Sequence, residues 1–244
     1  MIEKPEHFGA EHAQPFRDAS VAALFTILAG LVAAAPRAVL DVDCGIGDIP
    51  RPLAELVVRV DAVDFSREMI AHGTRLHGGD RPTLHWIEGP IEQVPLHPPY
   101  VLVTAGESLH WLDWNRVFPR FRAVLAPGGY LALVERVANP DPWSVLGALV
   151  SRYRIDGGSQ PYVMIEEFER HSLFHKIGEW RTAPVRFVQA IDDFFKSYHS
   201  RERMGAARAA SFERETSAML RQSYPDGMIP LQVAANVIWE RPLG

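Results

Sequence analysis

Val39-Leu40-Asp41-Val42-Asp43-Cys44-Gly45-Ile46-Gly47-Asp48 is the stretch that decides the fold. Val39 and Leu40 close a short apolar run, as expected of a parallel strand covered on both faces. An acid follows, then a Gly-x-Gly turn, then Ile49-Pro50-Arg51-Pro52-Leu53. Glycines in such a turn let the backbone bend sharply and approach a ligand closely, because no Cβ intrudes. Pro50 and Pro52 fit only the first turn of a helix, where a missing N–H costs little. A strand, a glycine turn and a helix N-terminus in that order form the usual small-ligand site of a parallel α/β sheet.

A second acid sharpens the assignment. Val57-Val58-Arg59-Val60-Asp61-Ala62-Val63-Asp64 reads as a second strand ending in a carboxylate, ahead of Phe65-Ser66-Arg67-Glu68-Met69. An acid roughly 20 residues past the glycine turn is placed to accept ribose hydroxyls. A nicotinamide-binding fold would put Gly-x-Gly-x-x-Gly directly after the first strand; here Asp41 intervenes and the glycines are Gly45-x-Gly47. The run resembles the S-adenosylmethionine site of class I methyltransferases, which reads Leu-Asp-x-Gly-Cys-Gly-x-Gly. Leu40, Asp41, Cys44, Gly45 and Gly47 match it, as does the spacing from Asp41 to Asp64. Leu125-Ala126-Pro127-Gly128-Gly129-Tyr130-Leu131 matches a second family segment, Leu-x-Pro-Gly-Gly-x-Leu. Glu107-Ser108-Leu109-His110-Trp111 resembles the trans-aconitate and related small-molecule methyltransferase branch. Asp43 and Pro90 depart from the pattern, where glycine and aspartate are usual.

The resemblance implies a Rossmann-like α/β fold: a mostly parallel sheet with an antiparallel last strand, helices on both faces and a helical lid insertion. It implies S-adenosylmethionine as cofactor and a small-molecule acceptor, with a carboxylate-bearing acceptor slightly preferred. Asp64 would hold the ribose, and Asp41 would organise the glycine turn and the methionine end. Gly45 and Gly47 would allow backbone approach, with Cys44 as a small side chain between the strand and the turn. Phe65 and Met69 would flank the adenine, and Ile91 would cover its other face from the segment Gly89-Pro90-Ile91. Asp43 would either pair with the cofactor's ammonium group or crowd the site and weaken binding, and Ala105 and Gly106 complete the site from the fourth strand. His110 and Trp111 stand at the reacting face as catalytic candidates, the imidazole as base, as hydrogen-bond donor or as a latch. Trp114 is either part of an aromatic wall near the sulfonium or an anchor for its loop. Tyr198 and His199 are acceptor candidates in the lid, although a cationic helix C-terminus also accounts for His199. Two rivals keep the fold: an enzyme that uses the cofactor without methylating, and a non-catalytic binding protein.

The chain has 244 residues, enough for one α/β domain with insertions. Its formal charge is −5, and its arginines are scattered, so nothing suggests a nucleic-acid surface. The single cysteine, Cys44, points to a reducing compartment and a cytoplasmic protein. The apolar run 21–35 is shorter than the ~20 residues needed to span a bilayer, so no membrane segment is expected. His171 and His175 lack a convincing second ligand pair, so no metal is expected. Oligomeric state is not legible.

The expected organisation is one domain. Residues 1–35 form a cover, including Phe8, His12 and Phe16, and a helix over 18–35. Residues 36–140 form the cofactor core, with a helix over 67–77 and another over 115–125 that Pro119 kinks or splits. Residues 141–190 supply helices and a strand over 176–188 interrupted at Pro184. Residues 191–229 make the helical lid, with helices over 191–200 and 206–223, and residues 230–244 close the sheet.

Overall fold

The computed structural model of the chain describes residues 20–33, 35–109, 112–139, 164–194 and 206–241, with Leu146, Leu149, Arg152 and Tyr153. The N-terminal cover, His110, Trp111, Tyr198 and His199 lie outside the described residues.

Parallel strands with no polar face form the centre. β1 (Ala38–Val42) is buried at every position, and β2 (Arg59–Asp64) at every position after the first. β3 is Leu84–Glu88, β4 is Tyr100–Gly106 and β5 is Leu125–Asn139. β6 (Gly178–Arg181), β7 (Val185–Ala190) and β8 (Met228–Glu240) complete the strands. The ladder order is β3-β2-β1-β4-β5-β8-β6, with β7 also paired to β8. β1 therefore has β2 on one side and β4 on the other, both parallel to it. The chain reverses its direction of travel across the sheet at β1, and ligands of such sheets bind in the crevice that this reversal opens.

The chain divides into two compact units, one of residues 1–136, 163–183 and 235–244, the other of residues 137–162 and 184–234. In the first unit, α1 (Ser20–Leu31) packs Leu24, Phe25 and Leu28 with Val39, Val60 and Leu102 on one sheet face. The other face receives Leu40, Val42 and Val103 from the strands. Opposite them stand Phe118 and Phe121 of α4 (Trp114–Val124) and Phe168 of α5 (Met164–Arg170). Alternate residues of β1 thus feed opposite layers, as the pleat requires. α2 (Pro50–Leu53) and α3 (Arg67–Gly73) follow β1 and β2 directly. In the second unit, α6 (Ile191–Phe194) and α7 (Ala206–Ser223) gather Ile191, Phe212 and Leu220 around Ile229 and Leu231 of β8. Among the described residues, no helix is long and apolar enough to cross a membrane.

Several boundaries differ from expectation. α1 ends at Leu31 rather than near residue 35. α3 ends at Gly73 rather than near residue 77, because the chain there runs against the glycine turn: a Cβ on Gly73 would lie 2.7 Å from the Ile46 carbonyl oxygen. Pro119 neither kinks α4 into two nor splits it, since the helix is continuous around this exposed position. The segment Ala126–Gly129 is absorbed into β5, with a register irregularity against β4 between Tyr100 and Leu102. The strand expected over 176–188 is two strands on either side of Pro184. β6 pairs with the end of β8 and β7 with its beginning, both antiparallel. The long insertion is closed at its base, where Ala190 opposes Met228 and the Ile191 amide donates to the Gly227 carbonyl at 2.9 Å.

Phe118 is 1% exposed and packs edge-on to Phe168 at 5.1 Å. Replacing it with alanine removes a ring from a layer that cannot collapse around the gap. Urea titration of Phe118→Ala should show a loss of about 3–5 kcal/mol; a loss below about 1 kcal/mol would mean that this layer is not close-packed.

Candidate functional site

The carboxyl ends of β1, β2 and β4 lie side by side, with Val42 level with Val63 and with Ala105. The turn after β1 grows from there. The Cys44 amide donates to the Val63 carbonyl at 2.9 Å, and the Gly47 amide to the Cys44 carbonyl at 2.9 Å. Asp43 stands at φ 50 and Gly45 at φ 57, both left-handed. Asp43 therefore occupies the backbone shape that explains glycine at this place in related sequences, and aspartate is among the few other residues that tolerate it. Gly47 (φ 83) is required twice over, since a Cβ there would also lie 2.4 Å from Cη2 of Trp86.

Asp64 ties the turn to β2. Its Oδ2 accepts the Gly45 amide at 2.7 Å and its Oδ1 accepts the Ser66 amide at 2.7 Å, so the side chain is only 4% exposed. A carboxylate offers about four lone-pair sites, more than a single hydrogen bond to each oxygen uses. Ser66 caps α3 by accepting the Met69 amide at 3.3 Å, as its place in the sequence predicts.

Asp41 is buried in β1, where the Thr104 hydroxyl of β4 donates to its Oδ1. Burial pushes its carboxyl up to about 8; the Thr104 hydroxyl opposes this shift, while Asp64, Asp43 and Asp48 add to it. Burial and the same acids Asp64, Asp41 and Asp43 push the Cys44 thiol well up, which removes it as a nucleophile. The site is thus an acidic turn.

Other expected residues fall around it unevenly. Phe65 and Pro90 are half-buried, whereas Met69, Ile91 and Ala105 are buried at 3%, 0% and 3% exposure. Gly89 (φ 135) donates its amide to the Asp64 carbonyl at 2.9 Å, which brings the 89–91 segment to the end of β2. Gly106 ends β4. Trp114 takes the anchoring role: its indole N–H donates to the Leu109 carbonyl at 2.7 Å and its ring meets Phe168 edge-on at 4.8 Å. His171 Nε2 lies 3.0 Å from Glu167, and no metal-binding group of three ligands occurs among the described residues.

Sequence reasoning missed the scaffold of the turn. Arg51 donates to the Ile46 carbonyl at 3.1 Å, the His77 carbonyl at 2.9 Å and Asp48 at 2.8 Å, so one guanidinium joins the turn to the segment after α3. Trp86 fills the space left by Gly47 and Gly73, and its indole N–H donates to the Gly79 carbonyl at 2.9 Å. The Ser108 hydroxyl donates to the Val42 carbonyl at 3.0 Å, joining the exits of β4 and β1. Only the Asp48–Arg51 spacing, three apart at a helix start, could have been seen in advance. The other contacts depend on strand register.

The comparisons with known proteins converge on this region. The methyltransferase domain family matches residues 39–129, which contain the turn, Asp64 and the end of β4. The malonyl-[acyl-carrier protein] O-methyltransferase of Enterobacter lignolyticus is 30% identical over 136 residues, 54% of this chain and 52% of that protein. An uncharacterised methyltransferase of Mycobacterium bovis is 35% identical over 105 residues, 43% of this chain and 42% of that one. The chain thus spans about half the length, or less, of these curated relatives. Among solved structures, the YcgJ protein of Bacillus subtilis has a TM-score of 0.56 at 16% identity, covering 90% of this chain and 96% of that one. The [4+2]-cyclase SpnF has a TM-score of 0.55 at 17% identity, covering 98% of this chain and 86% of its own. At such identities the structures show the fold alone, a Rossmann-like class I sheet. On that sheet, residues 39–129 match the methyltransferase domain family.

Proposed function

We propose that this chain is an S-adenosylmethionine-dependent methyltransferase acting on a small-molecule acceptor. The observation that carries this reading is the 2.7 Å bond from the Gly45 amide to Asp64, which fixes a glycine turn and a ribose-competent carboxylate as one unit. The residues present fit the cofactor. Its sulfonium and ammonium are both cationic, and the turn gathers Asp41, Asp43, Asp48 and Asp64, whose mutual repulsion a cation relieves. When bound, the cofactor supplies a methyl group activated by positive sulfur. The chain's own work is to hold and orient the reactants, which alone is worth several powers of ten in rate. Asp64 would accept ribose hydroxyls on its carboxylate. Phe65 would pack on the adenine above a floor of Met69 and Ile91. Asp41 and Asp43 would face the methionine end.

The lid role of residues 191–229, with Tyr198 and His199, belongs to the same proposal, as do His110 and Trp111 at the reacting face and a cytoplasmic location. Hydrogen exchange with and without S-adenosylhomocysteine tests the lid: protection should rise across 191–229, and no gain there would leave these helices as scaffold. A second reading of the acceptor, a carboxylate tethered to a carrier protein, is favoured by the similarity to malonyl-[acyl-carrier protein] O-methyltransferases.

The cofactor site is tested by Asp64→Ala. Losing charge-assisted bonds should cost about 1.5–3 kcal/mol of S-adenosylhomocysteine binding, roughly a 10- to 150-fold rise in Kd by calorimetry. Unchanged affinity in a folded variant would place the cofactor elsewhere.

Asp41 supplies a proton signature. With its carboxyl at about 8 it is mostly protonated at neutral pH. A cation arriving beside it favours the ionised form, so S-adenosylmethionine binding should release protons near neutrality and release none well above pH 8. Calorimetry in buffers of different ionisation enthalpy should detect this release in the wild type and not in Asp41→Asn. The same shift acts on folding. The folded pKa lies above the ordinary 3.8, so the native state holds a proton that the unfolded chain has lost between those values. Stability should therefore fall as pH rises from about 4 to about 8, and Asp41→Asn should flatten that decline. A melting temperature with the same pH slope in both proteins would contradict the assignment.

A further inference from the structure

The sheet order β2-β1-β4-β5 sets a direction along the site. A ligand with its ribose at Asp64 of β2 and its middle over the glycine turn of β1 has its reacting end over β4 and β5. Gly106 ends β4, and Glu107 is the first side chain beyond it. Glu107 stands at φ 50, a left-handed conformation that a glutamate adopts only when its surroundings impose it. Here the surroundings are explicit. The Glu107 amide donates to the Val134 carbonyl at 3.1 Å, and the side chain turns toward the exit of β5, where Oε1 accepts the Arg136 amide at 2.8 Å. Ser108, held to the Val42 carbonyl at 3.0 Å, stops the following residue from drifting. Glu107 is exposed as a residue, but the protein packed around its carboxyl raises it above the ordinary carboxylate range, with the Arg136 amide and charge opposing the shift; its Oε2 has no hydrogen bond among the described residues. A purely architectural role would need only the oxygen that holds Arg136, which the amide oxygen of a glutamine also supplies. The second oxygen is held in place by the first and makes no hydrogen bond among the described residues, just past the end of β4.

We propose that Glu107 determines the acceptor class: its second oxygen receives a hydrogen bond from an amine or hydroxyl acceptor and repels a carboxylate. This inference rests on the S-adenosylmethionine reading above, and it opposes the carboxylate acceptor implied by family resemblance.

The test needs no knowledge of the acceptor. Sinefungin carries an amine-bearing carbon where the cofactor has its methyl-bearing sulfur, so it places a hydrogen-bond-donating cation at the reacting end. S-adenosylhomocysteine places nothing there. At pH 8 the wild type should bind sinefungin about tenfold or more tighter than S-adenosylhomocysteine, the size expected of one charge-assisted hydrogen bond. Glu107→Gln keeps an acceptor for the Arg136 amide and removes the charge. It should bring the two affinities to within about threefold by weakening sinefungin alone. If this variant does not fold, Glu107→Asp, which keeps the charge but withdraws the carboxylate by one methylene, should likewise lower the preference for sinefungin. Equal affinities in the wild type, or a preference that survives the substitution, overturn the proposal. If neither compound binds the wild type, the cofactor reading itself fails and this inference falls with it.

Discussion

The bond from the Gly45 amide to the Asp64 carboxylate is the constraint on which the rest of the site depends. β1 and β2 would pair without it, but the turn leaving β1 would have no fixed relation to the end of β2. With it, the left-handed glycine turn and the acid become one rigid object. The neighbouring strand on the other side acts in parallel: Thr104 of β4 donates to Asp41, and Ser108 donates to the Val42 carbonyl just beyond. β1 is therefore held at its carboxyl end by polar contacts from both flanks, while its apolar residues feed both layers of the core. Trp86 and Arg51 complete the frame from outside, one by filling the space that glycines leave, the other by taking carbonyls from the turn and from the segment after α3.

The frame concentrates negative charge. Asp41 stands near Asp43, Asp48 and Asp64, and its own burial and that of Asp64 limit screening by water. Such a place is costly in the ligand-free protein, and a cation relieves the cost. Glu107 adds a further carboxyl past the end of β4, beside Arg136, while Arg51 offsets Asp48 in the turn. An acceptor that gives hydrogen bonds suits these carboxyls, whereas an anionic one works against them. The second unit is built separately, with Phe212, Leu220 and Ile229 around its own apolar centre, and its ladder with β7 closes the base of the insertion.

Much of this was legible in the sequence because it is local. The Val39–Gly47 run, Ser66 as cap, prolines at the start of α2 and the apolar β4 each follow from a few adjacent residues. The helix over 206–223 was legible to the residue, because its apolar spacing and its flanks agree. What escaped depends on residues brought together by register. Asp41 faces Thr104 only because β1 and β4 pair in parallel, and Trp86 meets Gly47 only once β3 lies beside β2. The helix over 67–77 was expected to be longer than it is: α3 ends at Gly73, where the glycine turn leaves no room for a side chain. Trp114 is a comparable case: the bond from its indole N–H to the Leu109 carbonyl depends on the fold of its loop and not on adjacent sequence.

The central claim is that the acidic glycine turn is where the cofactor sits. Amide-resolved NMR during titration with S-adenosylhomocysteine addresses it residue by residue. The account predicts the largest shifts at Gly45, Gly47, Phe65 and Gly89, with little change at Phe118 or Phe168 on the packed helices. Saturable binding that leaves those four amides unmoved would contradict it.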